Sequence, residues 1–86
     1  MGSYRIEIKR SAGKELKGLP EVDKRRVVSR IRSLADAPRH QGAKKLSGEE
    51  KYRIRQGNYR ILYEIHEDII TVVVVRIAHR REVYRR

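Results

Sequence analysis

The sequence predicts a single α+β domain in the order β-α-α-β-β-β: a small, mostly antiparallel sheet with an N-terminal helix hairpin packed on one face. Three observations predict it. Tyr4-Arg5-Ile6-Glu7-Ile8-Lys9 alternates apolar and polar residues, the period of a half-buried strand. The next stretch carries apolar residues at helical spacing, broken once at Gly18 and Pro20. From Tyr52 onward the chain reads as strand, first as an arginine-rich hairpin and then as a β-branched run.

The elements follow in order. After the first strand, Ser11 suits an N-cap and Glu15 favours the turn that follows. Ala12, Leu16 and Leu19 then recur at helical spacing, and Pro20 cannot continue that helix. A second helix is expected over residues 22–35, with Val27, Val28, Ile31 and Leu34 as its apolar stripe. Lys24, Arg25, Arg26, Arg30 and Arg32 cover the rest and read as a solvated face. Ala37-Pro38 closes the helix, and residues 38–48 read as a polar loop.

The hairpin is the most informative segment. A two-residue turn at Gly57-Asn58, both tolerant of positive φ, pairs Gln56 with Tyr59, Arg55 with Arg60, Ile54 with Ile61 and Tyr52 with Tyr63. Tyr52, Tyr59 and Tyr63 then share the apolar face with Ile54 and Ile61 and read as core residues. Arg53, Arg55 and Arg60 lie on the uncovered face. Like charges directly opposed on a sheet are destabilising, so the Arg55–Arg60 pair points to an anion held there. His66-Glu67-Asp68 forms the next turn, and residues 69–77 read as a central strand covered on both faces. A two-residue turn at Glu67-Asp68 would pair Leu62 with Val73 and Arg60 with Val75. It would turn His79 toward the arginine face and Arg76 toward the apolar one.

Charge is the strongest compositional signal. The 86 residues hold 22 Lys plus Arg against 11 Asp plus Glu, a net charge of +11, with a pI near 10.6. Residues 1–43 hold 11 basic and 5 acidic residues, and residues 44–86 hold 11 and 6, so the excess is no terminal tail. Such a domain attracts polyanions, nucleic acid above all or an acidic protein partner. No segment is a convincing amphipathic membrane binder, and no apolar run is long enough to span a bilayer. The N-terminus shows no signal-peptide pattern, and cysteine is absent, so the expectation is a cytoplasmic protein without disulfides or thiolate metal sites.

The residues favour nucleic-acid chemistry over other chemistries. His40, His66 and His79 lie in three separate segments without a carboxylate cluster, so neither a metal nor a cofactor is expected. Ser11, Ser29, Ser33 and Ser47 suit no Ser–His–Asp arrangement, and Gly42 and Gly48 flank Lys44-Lys45 without a phosphate-loop context. Arginine holds phosphate through a planar, permanently charged fork. Tyrosine stacks on a base or donates a proton. That equipment suits RNA binding. It also suits RNA cleavage by attack of a ribose 2′-OH on the adjacent phosphate, with Arg53, Arg55 and Arg60 supplying charge and Tyr84, His79 or an arginine managing protons.

The run Gly42-Ala43-Lys44-Lys45-Leu46, then Tyr52-Arg53-Ile54-Arg55, Tyr59-Arg60-Ile61-Leu62-Tyr63-Glu64 and His79-Arg80-Arg81-Glu82-Val83-Tyr84 resembles the RelE branch of the RelE/ParE toxin superfamily. The likeness covers nearly the whole chain. It implies the toxin of a type II toxin–antitoxin pair, an enzyme that enters the ribosomal A site and cuts mRNA without metal, leaving a 2′,3′-cyclic phosphate and a 5′-hydroxyl. The implied partners are a cognate antitoxin, the ribosome through its small-subunit rRNA, and mRNA. By position, Arg60 matches the phosphate-stabilising arginine, Arg80 the arginine that helps the leaving group, and Tyr84 the tyrosine that stacks on or orients the RNA. Arg53 and Arg55 take positions that are often lysine in the family. Arg55, Arg60, Arg80 and Tyr84 are thus the expected catalytic set. Lys44, Lys45, Lys51, Arg53, His79 and Arg81 are the expected RNA-binding residues. Arginine is a poor proton acceptor, its pKa exceeding roughly 12, so the base that deprotonates the 2′-OH is left open. The sister ParE branch, which poisons DNA gyrase, shares the fold but generally lacks the basic and tyrosine C-terminal set. A non-catalytic RNA-binding module is the third reading.

Overall fold

The computed structural model describes residues 3–39, 43–46 and 51–79. The chain runs β1 (Arg5–Ile8), α1 (Arg10–Lys17), α2 (Glu21–Ser33), β2 (Lys44–Lys45), β3 (Lys51–Gln56), β4 (Tyr59–His66), a 3₁₀ turn (Glu67–Ile69) and β5 (Thr71–His79). The five strands form one sheet in the order β1-β5-β4-β3-β2. Only β1 with β5 is parallel; the other neighbouring strands are antiparallel. The α+β class and the helix hairpin are as the sequence predicts, with one strand more.

Helix α1 begins two residues earlier than a Ser11 cap requires. Lys9 holds the N-cap position without a side-chain bond, and Ser11 falls inside the first turn. Glu15 instead serves the sheet. Its carboxylate accepts the Ile77 backbone N–H at 2.7 Å and faces Arg76 Nε at 3.3 Å, closing β5 where β1 has ended. In α2 the stripe works as expected: Val27, Ile31 and Leu34 are buried, while Glu21 and Asp23 in the first turn and Arg30 and Arg32 in the last complement the helix dipole.

These side chains and Ala12 pack on one face of the sheet, against Tyr52, Ile54, Tyr59, Ile61, Tyr63, Ile65, Val72, Val74 and Ile77. All three tyrosines are core residues, as their alternation predicts. Tyr52 and Tyr63 stack with ring centroids 5.7 Å apart. Each hydroxyl finds a partner: Tyr63 donates to the Pro38 carbonyl, Tyr59 donates to Asp23, and Tyr52 accepts from Arg39. Arg39 also pairs with Glu67 at 2.6 Å, and Glu67 accepts the Tyr4 hydroxyl, so one polar chain ties the loop after α2 to the β4–β5 turn and to β1.

Two sequence expectations change. Lys44 and Lys45, placed in a loop, form the short edge strand β2, with Lys44 opposite Arg53 and Lys45 opposite Tyr52. The β4–β5 connection is longer than a two-residue turn. It is a 3₁₀ turn closed by Ile70 in the left-handed region at φ 48°, so Ile69 and Ile70 are exposed rather than part of a central strand. Leu62 therefore pairs with Arg76 and Arg60 with Ala78. The register also shifts between Leu62 and Tyr63, where Val75 has no partner residue and forms a bulge.

Candidate nucleic-acid interface

The site is built by parity. Side chains alternate across a strand, so the residues that send Tyr52, Ile54, Tyr59, Ile61 and Tyr63 to the helices send their neighbours to the opposite face. The β3–β4 turn has the predicted register. Gln56 faces Tyr59, Arg55 faces Arg60, Arg53 faces Leu62, and Lys51 faces Glu64. Gly57 at φ +60° makes the turn possible, and Asn58 keeps a negative φ, the pattern of a type II′ hairpin.

The pairings draw three rows across the face opposite the helices. Lys44, Arg53, Leu62 and Arg76 form one; Arg55, Arg60 and Ala78 form the next; Lys51, Glu64 and Val73 form the third. Directly opposed side chains on such a face stand about 5 Å apart at Cβ. Lys44, Lys51, Arg53, Arg55, Arg60 and Arg76 thus share one face with two carboxylates of its third row: Glu64, which is held by His66 at 3.0 Å, and Glu7 of β1, which pairs with Val73. This is a field that favours a polyanion lying across the strands.

Arg60 departs from expectation. It is not on an uncovered surface: its residue is 4% exposed, while Arg55 is exposed and Arg53 half-buried. β4 is the middle strand of five, and Arg60 is more buried than Leu62 and Glu64, its half-buried neighbours on the same face of that strand. A guanidinium there keeps its charge and is screened less than one in water.

The bulge moves two more residues. Beyond Val75 the parity of β5 reverses relative to the expected register. Arg76, expected on the apolar face, joins Leu62 on the arginine face, although its head does reach a carboxylate, Glu15. His79, expected on the arginine face, pairs instead with Tyr59 and meets its ring edge-on with centroids 5.3 Å apart. Lys45 likewise shares a side with Tyr52 rather than Arg53. Arg80, Arg81 and Tyr84 lie outside the described residues. Sequence reading missed Arg76 as a member of the face. It had no signal to find it, because Val72-Val73-Val74-Val75 are alike and carry no alternation that would betray a bulge.

A second feature lies on the other side of the sheet. Gln56, whose side chain faces the helices, lines a cleft of about 240 Å³ with Arg26, Ser29, Arg30 and Ser33 of α2. An adjoining cleft of about 140 Å³ lies between Asp23, Arg26 and Val27 and the hairpin tip.

Comparison with known proteins fits this architecture. A family model described as the ParE toxin of type II toxin–antitoxin systems (parDE) matches residues 6–84. The chain belongs to that family. As a RelE/ParE superfamily toxin it also resembles solved structures over most of its length. The RelBE2 toxin–antitoxin complex from Mycobacterium tuberculosis matches with a TM-score of 0.81 at 31% identity, over 91% of this chain and 99% of that one. The RelB–RelE antitoxin–toxin complex from Methanococcus jannaschii matches with a TM-score of 0.74 at 29% identity, over 91% and 94% of the two chains. Toxin RelG from Mycobacterium tuberculosis is 46% identical over 35 residues, a stretch spanning 41% of this chain and only 40% of RelG. Among the described residues of this ParE-family toxin, no helix is long and apolar enough to cross a membrane.

Proposed function

We propose that this toxin is a ribosome-dependent endoribonuclease that cuts mRNA in the ribosomal A site and so stops translation. The observation that carries the reading is the Arg55–Arg60 row, with Arg60 held out of water at the centre of a face that also gathers Lys44, Lys51, Arg53 and Arg76. In the proposed reaction the 2′-oxygen attacks phosphorus and the bond to the 5′-oxygen breaks. The 2′-proton leaves to a base and the 5′-oxygen gains a proton, giving a 2′,3′-cyclic phosphate and a 5′-hydroxyl. Arg60 and Arg55 hold the non-bridging oxygens, where charge builds in the transition state. Arg80 assists the leaving oxygen and Tyr84 stacks on or orients the RNA. Lys44, Lys51 and Arg53 hold the strand to either side, and Lys45, His79 and Arg81 add contacts at the rim. Neither metal nor cofactor has a role in this scheme.

Positioning is the step this face handles least well alone. Two arginines hold charge but accept no proton at neutral pH. A ribosome supplies the alignment, and the toxin's net charge of +11 supports binding to rRNA and mRNA together. The same charge suits a cognate antitoxin with an acidic or amphipathic segment that folds as it wraps the toxin. The Mycobacterium tuberculosis and Methanococcus jannaschii relatives were solved as complexes with their antitoxins. The expected site of action is the cytoplasm.

A second reading has its own support: the matching family model is that of the ParE toxin, and resemblance to the ParE branch implies action on DNA gyrase. Primer extension on mRNA in a reconstituted translation reaction separates the two. The endonuclease reading expects cuts within A-site codons only when ribosomes are present. Intact mRNA together with inhibited gyrase supercoiling selects the second reading.

A further inference from the structure

Arg26, Ser29, Arg30 and Ser33 recur at positions i, i+3, i+4 and i+7 along α2 and line one side of the 240 Å³ cleft, whose other side is Gln56. The stripe lies beside the buried residues Val27 and Ile31, which explains a half-buried arginine in a helix otherwise read as a solvated basic face. The Nε of Arg30 is fully buried and, among the described residues, has no hydrogen-bond partner. A buried donor left unsatisfied destabilises the fold, and the rest of the same guanidinium side chain lines the cleft. Other basic residues of α2 are engaged differently. Lys24 and Arg25 both face Glu21, at 3.8 and 3.7 Å, and among the described residues no such carboxylate serves Arg26 or Arg30.

We propose that this cleft is a second phosphate site for RNA, in which Arg26 and Arg30 hold a backbone phosphodiester on the opposite side of the sheet from Arg55 and Arg60. The donor set fits a phosphate. Two guanidinium forks, the Ser29 hydroxyl and the Gln56 amide line the space. Ser33 donates to the Arg30 carbonyl at 2.6 Å and so contributes no donor of its own. The volume falls below that of an ordinary small-molecule pocket, which suits one group of a polymer rather than a whole ligand. A neighbouring carboxylate, Asp23, lines the adjoining space and accepts the Tyr59 hydroxyl at 3.1 Å. His79 packs on that same tyrosine, which places it toward the cleft's side of the sheet. A strand of RNA following the hairpin edge would therefore meet cations on both faces, gripping the β3–β4 tip from two sides. The assignment deepens the reading of this chain as an RNA-directed toxin and rests on it for the identity of the polyanion.

The test uses the full chain and a short 2′-O-methyl single-stranded RNA, which binds but cannot be cut by 2′-OH attack. Affinity is measured as salt is varied. Two variants are compared with the wild type: the Arg26→Gln/Arg30→Gln pair, and Ser29→Glu, which keeps both arginines and sets a carboxylate in the cleft. Both are expected to bind about tenfold more weakly or worse. The pair is expected to lower the slope of log affinity against log salt by about 0.7 for each phosphate that is no longer neutralised. Wild-type affinity and slope in both variants would overturn the proposal. So would unchanged RNA binding with weakened affinity for an acidic antitoxin peptide, which would assign the cleft to a protein carboxylate. Failure of the endonuclease reading shows separately, as a wild-type protein that leaves ribosome-bound mRNA uncut.

Discussion

At the scale of single residues, environment decides what each tyrosine and arginine can do. Tyr52, Tyr59 and Tyr63 read as core residues from their alternation, and all three are buried and hydrogen-bonded inside the protein. Burial, with the neighbouring Tyr52, pushes the Tyr63 phenol up from 10.0 to about 12. A folded-state value above the unfolded one means the unfolded chain ionises first. The stabilisation is full below about pH 10 and is lost as pH rises toward 12. Denaturant titrations across that range should show a steeper loss of stability for wild type than for Tyr63→Phe. Equal slopes would mean that the phenol is not desolvated. Arg60 illustrates the same point with opposite purpose. Its sequence position reads as surface, and its side chain proves to be almost fully shielded from solvent.

At the scale of elements, the β3–β4 hairpin is the part whose geometry follows most directly from the residues. Alternation sets the faces and Gly57 sets the register, so every predicted pair from Tyr52–Tyr63 to Gln56–Tyr59 forms. A Cβ at Gly57 would meet nothing within 4 Å, which leaves its φ of +60° as the sole reason for glycine. Gly57→Ala should therefore cost about 1–2 kcal/mol by urea denaturation, from backbone conformation alone. Strand β5 was legible as a strand but not in register. Its four consecutive valines fit either face, and the bulge at Val75 answers to the longer turn and to packing rather than to any local pattern. That one residue moves both Arg76 and His79 across the sheet. Glu15 was read as a helix-favouring residue and proves to close the β5 edge. Glu15→Gln keeps an acceptor for the Ile77 N–H and should change stability by less than about 0.5 kcal/mol, since the exposed Arg76 pair contributes little. Glu15→Ala removes the acceptor and should cost about 1–3 kcal/mol in the same assay. Similar losses in the two variants would assign the effect to charge instead.

At the scale of the whole molecule, the fold separates two jobs. One face of the sheet is closed by helices and tyrosines, and the other collects cations from four strands, β2 through β5. The net charge of +11 was legible from composition and carries the expectation of a polyanionic partner. The convergence was not, because Lys44 and Arg76 reach the face only through an edge strand and a bulge that the sequence does not announce. The most direct measurement is single-turnover cleavage of mRNA on programmed ribosomes by wild type and by Arg60→Ala combined with Tyr84→Phe. Ribosome binding is followed in parallel. The account predicts cleavage reduced by about 100-fold or more, as expected for loss of preorganised transition-state charge, with ribosome binding largely retained. Cleavage at the wild-type rate by the double variant would contradict it.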